Sequence, residues 1–208
     1  MDELELGQGD ALLIVDLQND FLPGGSLGVP HGDQVIAPIN QLLAMYRERS
    51  LPIYASRDWH PADHCSFAAR GGPWPPHCVA DTAGAAFCAD LDLGPDVIVI
   101  SKAVTADVDA YSAFNGTDLA DHLRAHGVKR VAVCGLATDY CVLNTAVDAL
   151  AAGFQTLIVP EAMRAVEVTP GDGAQAIARM IDAGAVPVAL RGQALSVVRQ
   201  EQATALAP

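Results

Sequence analysis

Ala11-Leu12-Leu13-Ile14-Val15-Asp16 is a run of five apolar residues closed by an acid. A run this short, with no polar alternation, reads as a strand buried on both faces, which is the habit of a parallel sheet. Runs of the same kind recur at Ile53 to Ser56, Val97 to Ser101, Arg130 to Cys134, Phe154 to Val159 and Ala185 to Leu190. Helical stripes lie between most of them. Val35, Ile36, Ile39, Leu42, Leu43 and Tyr46 repeat at i, i+3/i+4, i+7, as do Val142, Ala146, Ala149 and Leu150, and Ala174, Ile177, Ala178 and Ile181. Leu119 and Leu123 mark a shorter helix. Strands alternating with helices imply βαβ units. The expected fold class is therefore a three-layer α/β/α arrangement around an open, mostly parallel, six-stranded sheet.

The chain has 208 residues, 51% of them hydrophobic, enough for one domain over 1–208 with a substantial core at about 10–189. Nothing in the pattern assigns residues 1–9 or the tail after about 190. Lys and Arg number 12 against 25 Asp and Glu, a formal charge of -13, so there is no basic footprint for nucleic acid or anionic membrane. The apolar runs are far shorter than a bilayer span, and Met1-Asp2-Glu3 lacks the basic and apolar regions of a signal peptide. A cytoplasmic protein with a small-molecule partner is expected, with self-association left open. Cysteines 65, 78, 88, 134 and 141 are odd in number and scattered, which disfavours a disulfide framework and a Cys-x-x-Cys zinc site and leaves a free thiol. The one long irregular stretch, about Pro61 to Leu93, has the length of a functional loop.

In open α/β sheets, ligands bind outside the carboxyl ends of the strands. Asp16 ends the first strand, Asp58 and His60 follow the second, Lys102 ends the third, and Cys141 lies just past the fourth. Cys141 falls where a helix begins, after Thr138 or Asp139 as caps, so dipole and backbone N–H groups favour its thiolate and can hold an oxyanion. A free cysteine is more often an inert apolar group, and Cys134, inside a strand, keeps that reading. Asp16 after an apolar strand is desolvated toward general-base strength, or else simply caps a loop. Asp20 reads as a structural acceptor in the turn before Phe21. Lys102 is either a paired buried ammonium or a surface group. If the three converge, the lysine stabilises an anion and the aspartate takes the thiol proton.

Asp58 and His60, at i and i+2, share one side of an extended chain, and His77 adds a third donor on a proline-stiffened loop. One carboxylate and two imidazoles with open positions suit one divalent transition metal, Zn, Fe or Mn. Phe21, Trp59, Trp74, Tyr111 and Tyr140 concentrate in these loops although aromatics make up only 5% of the chain, and they suggest a pocket for a flat ring.

These segments resemble a known family. Ile14-Val15-Asp16 leading into Gln18-Asn19-Asp20-Phe21, then Gly24-Gly25-Ser26-Leu27, Asp58-Trp59-His60-Pro61, Trp74-Pro75-Pro76-His77-Cys78, Lys102 before Tyr111-Ser112-Ala113-Phe114, and Gly135-Leu136-Ala137-Thr138-Asp139-Tyr140-Cys141-Val142 are similar to the nicotinamidase/pyrazinamidase family of isochorismatase-like cysteine hydrolases. The resemblance runs from about residue 10 to about 189. It implies a Cys141 nucleophile, Asp16 as proton acceptor, Lys102 as electrostatic partner, and a cis peptide between Leu136 and Ala137 that turns the Ala137 and Cys141 amides toward an oxyanion. It implies metal ligation by Asp58, His60 and His77, with zinc the expected ion and His64 an open fourth candidate. Phe21, Trp74 and Tyr140 would sandwich the ring, with Tyr111 beside them. The implied activity is hydrolysis of nicotinamide, and of pyrazinamide, to the acid and ammonia in NAD salvage. Alternatives are an amide hydrolase of this fold acting on ureido or carbamoyl substrates, or a non-catalytic metal- or ligand-binding domain. One departure stands out: Ala103 follows Lys102 where a glycine is common.

Overall fold

A computed structural model describes residues 3–206. Its strands are β1 (Glu3–Leu4), β2 (Asp10–Val15), β3 (Ile53–Asp58), β4 (Ile98–Lys102), β5 (Arg130–Leu136), β6 (Gln155–Arg164), β7 (Val186–Arg191) and β8 (Ala194–Val197). They form one sheet in the order β1-β8-β7-β6-β5-β2-β3-β4. The six expected strands are β2 to β7, and every pairing among them is parallel. The strand count is corrected from six to eight. β8 adds antiparallel to β7, and β1 pairs antiparallel with β8. Elements of two and four residues are too short to carry a period, and both lie outside the span that the hydrophobic pattern marks as core.

Helices α1 (Ile36–Glu48), α2 (Leu119–Ala125), α3 (Leu143–Ala151), α4 (Asp172–Asp182) and α5 (Gln200–Leu206) complete the layers. Pro38 sits in the first turn of α1, where its missing N–H has no intrahelical partner to lose. The β2 side chains separate by parity. Leu12 and Ile14 pack toward α1 residues such as Ile39, Leu42 and Leu43, while Leu13 and Val15 join Leu123, Ala146 and Ile177 from α2, α3 and α4. Full burial of Leu12, Leu13, Ile14 and Val15 contributes on the order of 10 kcal/mol. One helix cannot cover the first face alone. The long loop assists with Cys78, Ala85, Cys88 and Leu91. None of the described helices is long and apolar enough to cross a membrane.

The chain order places the site. From β2 the chain builds outward through β3 and β4, then returns to lay β5 on the other flank of β2. The topological switch lies between the carboxyl ends of β2 and β5, and a crevice opens there. Gly135 makes the close approach feasible: its φ is +116°, and a Cβ would come 2.1 Å from the Val15 carbonyl oxygen. Gly135→Ala should therefore destabilise the fold by more than about 2 kcal/mol, since both backbone conformation and strand spacing oppose the methyl group. Urea denaturation checks this, and an unchanged midpoint would contradict it.

Candidate active site

Asp16 directly follows β2, fully buried and in the left-handed region with φ 47°. Its Oδ1 accepts the Ser56 hydroxyl at 2.7 Å, and its Oδ2 lies 2.9 Å from Lys102 Nζ. Lys102, the last residue of β4, also donates to Asp58 Oδ1, to the Ala110 carbonyl at 3.1 Å and toward Cys141 Sγ at 3.6 Å. One ammonium thus ties together three strand ends and the thiol. Ligating atoms of Asp16, Asp58 and Cys141 all lie within 4.8 Å of one another.

Cys141 does not occupy an ordinary helix start. A single π-helical turn, Thr138–Val142, precedes α3, and its N-cap is Ala137 with no side-chain cap. The expected caps are corrected: Thr138 lies inside the turn, and Asp139 turns away to accept the Val166 and Glu167 N–H groups. The peptide between Leu136 and Ala137 is cis.

Electrostatics set the resting protonation. Burial opposes the Asp58 charge, yet the Lys102 ammonium and His60 hold this carboxyl well below the usual carboxylate range. Burial raises Asp16 despite Lys102. Burial would pull the Lys102 ammonium down, but Asp16 and Asp58 carry it well above the ordinary lysine value. The Cys141 thiol moves opposite to the dipole expectation. Burial, joined by Asp16 and Asp58, pushes it well up and outweighs Lys102. The resting pair is a thiol beside a carboxylate of enhanced basicity, suited to transferring the proton as a C–S bond forms.

Asp58 has a second neighbour set. Its Oδ2 lies 3.6 Å from His60 Nε2, and ligating atoms of Asp58, His60 and His77 fall within 4.8 Å of one another. His60 Nδ1 donates to the Ala103 carbonyl at 3.2 Å and His77 Nδ1 to the Pro75 carbonyl at 2.8 Å. These bonds place the proton on Nδ1 of both rings and leave Nε2 with a free lone pair, the arrangement usual around metal-bound histidines. His60 Nε2 is buried without a hydrogen-bond partner. A divalent cation fits that orphaned atom and donor set. His64 is not brought into it. Ser66 N–H donates to its Nδ1 at 3.3 Å, so its Nε2 donates to the Val108 carbonyl at 3.1 Å, and the ring stacks on His60 with centroids 4.1 Å apart. Ala103 adopts φ 51°, a conformation that favours glycine, and Lys102 keeps its contacts despite the alanine.

Phe21, Trp74, Tyr111 and Tyr140 line one cavity with Asp58, His77, Ala137 and Cys141. Trp74 Nε1 donates to Tyr111 Oη at 3.0 Å, and Trp74 meets Tyr140 edge-on at 5.3 Å. Trp59 is not among them; the Arg57 guanidinium covers it at 3.6 Å. Asp20 bridges two loops by accepting the Cys78 N–H at 2.7 Å and the Ser26 N–H at 3.3 Å. Sequence reasoning left several contributors unassigned. Gln18 pairs its amide with both the N–H and the carbonyl of Asp58. Ser56, the polar residue that closes an apolar run, carried a signal of its own. Val166 lines the cavity, and no pattern marks it.

The Isochorismatase domain pattern matches residues 10–191. Nicotinamidase of Escherichia coli (strain K12) is 41% identical over 196 residues, covering 84% of this chain and 92% of that protein. The chain belongs to the nicotinamidase/pyrazinamidase family. Among solved members, the pyrazinamidase of Pyrococcus horikoshii in complex with zinc superposes with a TM-score of 0.84 at 47% identity, covering 88% of this chain and 99% of that one. The L. infantum protein PnC1 in complex with nicotinate gives 0.80 at 41% identity over 86% and 92% of the respective chains.

The buried Lys102 generates a test of these electrostatics. Lys102→Met, in metal-free protein, should cost about 3–5 kcal/mol at neutral pH because two buried carboxylates lose their counter-ion. Both carboxyls then have raised folded pKa values, so the unfavourable contribution exists above those values and fades as pH falls through them. The deficit relative to wild type should shrink on acidification, as measured by denaturant melts. A deficit that grows toward acid would contradict the pairing.

Proposed function

We propose that this chain is a metal-dependent cysteine amidohydrolase that converts nicotinamide, and pyrazinamide, to the carboxylic acid and ammonia. The observation that carries this reading is the placing of Cys141 on the wall of an aromatic-lined cavity that Asp58 and His77 also line, with Lys102 against the thiol, Asp16 within reach of it and His60 beside Asp58 and His77. The relatives named above support the substrate class.

Substrate enters as a flat ring among Phe21, Trp74, Tyr111 and Tyr140. Asp58, His60 and His77 would hold a divalent cation, which we take to be zinc, and it would supply an electron-pair acceptor for a ring nitrogen. Cys141 passes its proton to Asp16 as sulfur attacks the carboxamide carbon, and the Ala137 and Cys141 N–H groups receive the developing oxyanion. Asp16 returns that proton to nitrogen, the C–N bond breaks, and ammonia leaves a thioester. Water then gives a proton to Asp16 as its oxygen attacks the same carbon. The C–S bond breaks, the acid forms, and the proton returns to sulfur. Lys102 stabilises each anionic stage and keeps Asp58 ionised. His64, stacked on His60, holds that imidazole in place. A cytoplasmic setting in NAD salvage accords with five unpaired cysteines.

Purified protein should release ammonia from nicotinamide, and Cys141→Ala should lower turnover by roughly 10³-fold or more while leaving the protein folded. Ammonia release from ureido or carbamoyl amides but not from nicotinamide would overturn the substrate assignment; near wild-type turnover by the alanine variant would overturn the mechanism. Removing metal with a chelator should cut activity by at least about tenfold, with the far-ultraviolet circular dichroism unchanged, because a site with three protein ligands on loops and strand ends serves substrate more than scaffold. Unfolding of the sheet on chelation would contradict this.

A further inference from the structure

The Asp139 carboxylate lies two residues before Cys141 in the same π-helical turn, yet it caps nothing there. Its Oδ1 accepts the Val166 N–H at 3.0 Å and its Oδ2 the Glu167 N–H at 3.1 Å. A carboxylate accepts at both oxygens, so it can satisfy two successive peptide donors at once. The segment beyond is tied at its far end as well. Glu167, at φ 56°, accepts the Gly171 N–H at 2.6 Å and the Gly173 N–H at 2.8 Å at the start of α4. Gly173 leaves room for these ties, since a Cβ would come 2.7 Å from Glu167 Oε1 and 2.8 Å from Ala165 Cβ. Glu167, Val168, Thr169 and Pro170 are exposed, so polar ties rather than apolar burial hold this stretch. Val166, fixed between the two ties, is half-buried and reaches the cavity lined by Tyr140 and Cys141.

We propose that Asp139 is a positioning residue that locks Val166 as the apolar wall limiting the size of ring the cavity accepts. The proposal rests on reading that cavity as the seat of a nicotinamide-like ring. The geometry makes selectivity a property of a pair: Val166 supplies the steric limit, and Asp139 keeps it from yielding. A single carbon in an apolar pocket is worth roughly 10- to 200-fold in discrimination, so a firmly held valine suffices to reject a ring methyl group.

The test compares wild type, Val166→Ala and Asp139→Asn on nicotinamide and its ring-methylated isomers. In Asp139→Asn the shape is kept, but the side-chain NH2 faces one of the two N–H donors. For at least one isomer, kcat/KM relative to nicotinamide should rise about tenfold in Val166→Ala. The same isomer should gain in Asp139→Asn, with kcat for nicotinamide within about threefold of wild type. Hydrogen exchange at the Val166 and Glu167 amides should quicken in Asp139→Asn while α3 is unaffected. No gain for any isomer in Val166→Ala would show that Val166 sets no limit. A gain there but not in Asp139→Asn, or a fall in kcat with unchanged isomer ratios, would show that Asp139 acts elsewhere. Unchanged exchange would overturn the clamp whatever the activity. Failure of wild type to hydrolyse nicotinamide would instead count against the proposed function, and the exchange result would still decide the clamp.

Discussion

The buried ammonium of Lys102, set between the carboxylates of Asp16 and Asp58, is the interaction around which the rest of the site is arranged. Three side chains from the carboxyl ends of adjacent parallel strands could not share a desolvated space as like charges, nor could the lysine remain there alone. Together they hold two negative charges and one positive within a dry interior. Burial, joined by the residual negative charge, pushes the Cys141 thiol up and leaves Asp16 as the group most ready to take a proton. Asp58 faces both ways: Oδ1 meets Lys102, and Oδ2 faces His60. The donor triad and the thiol are therefore parts of one electrostatic unit, and a cation in the triad would act on the thiol through Asp58.

Holding that unit in register is the task of groups with no chemical role of their own. Gln18 grips the peptide of Asp58, and Asp20 joins the loop carrying Phe21 to the loop carrying His77. Backbone carbonyls of Ala103 and Pro75 choose the tautomers of two histidines. All of these contacts except the local Pro75–His77 bond join segments distant in sequence, so the pocket's shape depends on the closed sheet and preorganisation comes from the fold itself.

The sequence makes the parallel core legible because buried strands tolerate little except apolar residues. A charge that ends such a strand, as Asp16 and Lys102 do, is conspicuous for the same reason. What remained unread has physical causes. β1 and β8 are too short to show a period and gain stability only by pairing with β7 and each other. Asp139 looks like a cap because aspartate at a helix start ordinarily is one, and only tertiary structure reveals the peptide donors that draw it away. Trp59, adjacent to the donor residues in sequence, packs instead beneath Arg57. Leu27, Val29 and Val166 are ordinary apolar residues whose position in the cavity no local pattern encodes. The helix-start argument weighs the backbone dipole alone, whereas in the folded site burial and two nearby carboxylates push the Cys141 thiol up.

The central claim is that carbon–nitrogen cleavage proceeds through a covalent bond to Cys141. Acid quenching of a single turnover with excess enzyme, followed by intact mass measurement and peptide mapping, tests it most directly. The account predicts a transient nicotinoyl adduct on the peptide containing Cys141 that forms with ammonia release and decays as nicotinate appears. Stoichiometric ammonia release with no adduct under conditions that preserve thioesters, or an adduct on another residue, would contradict it.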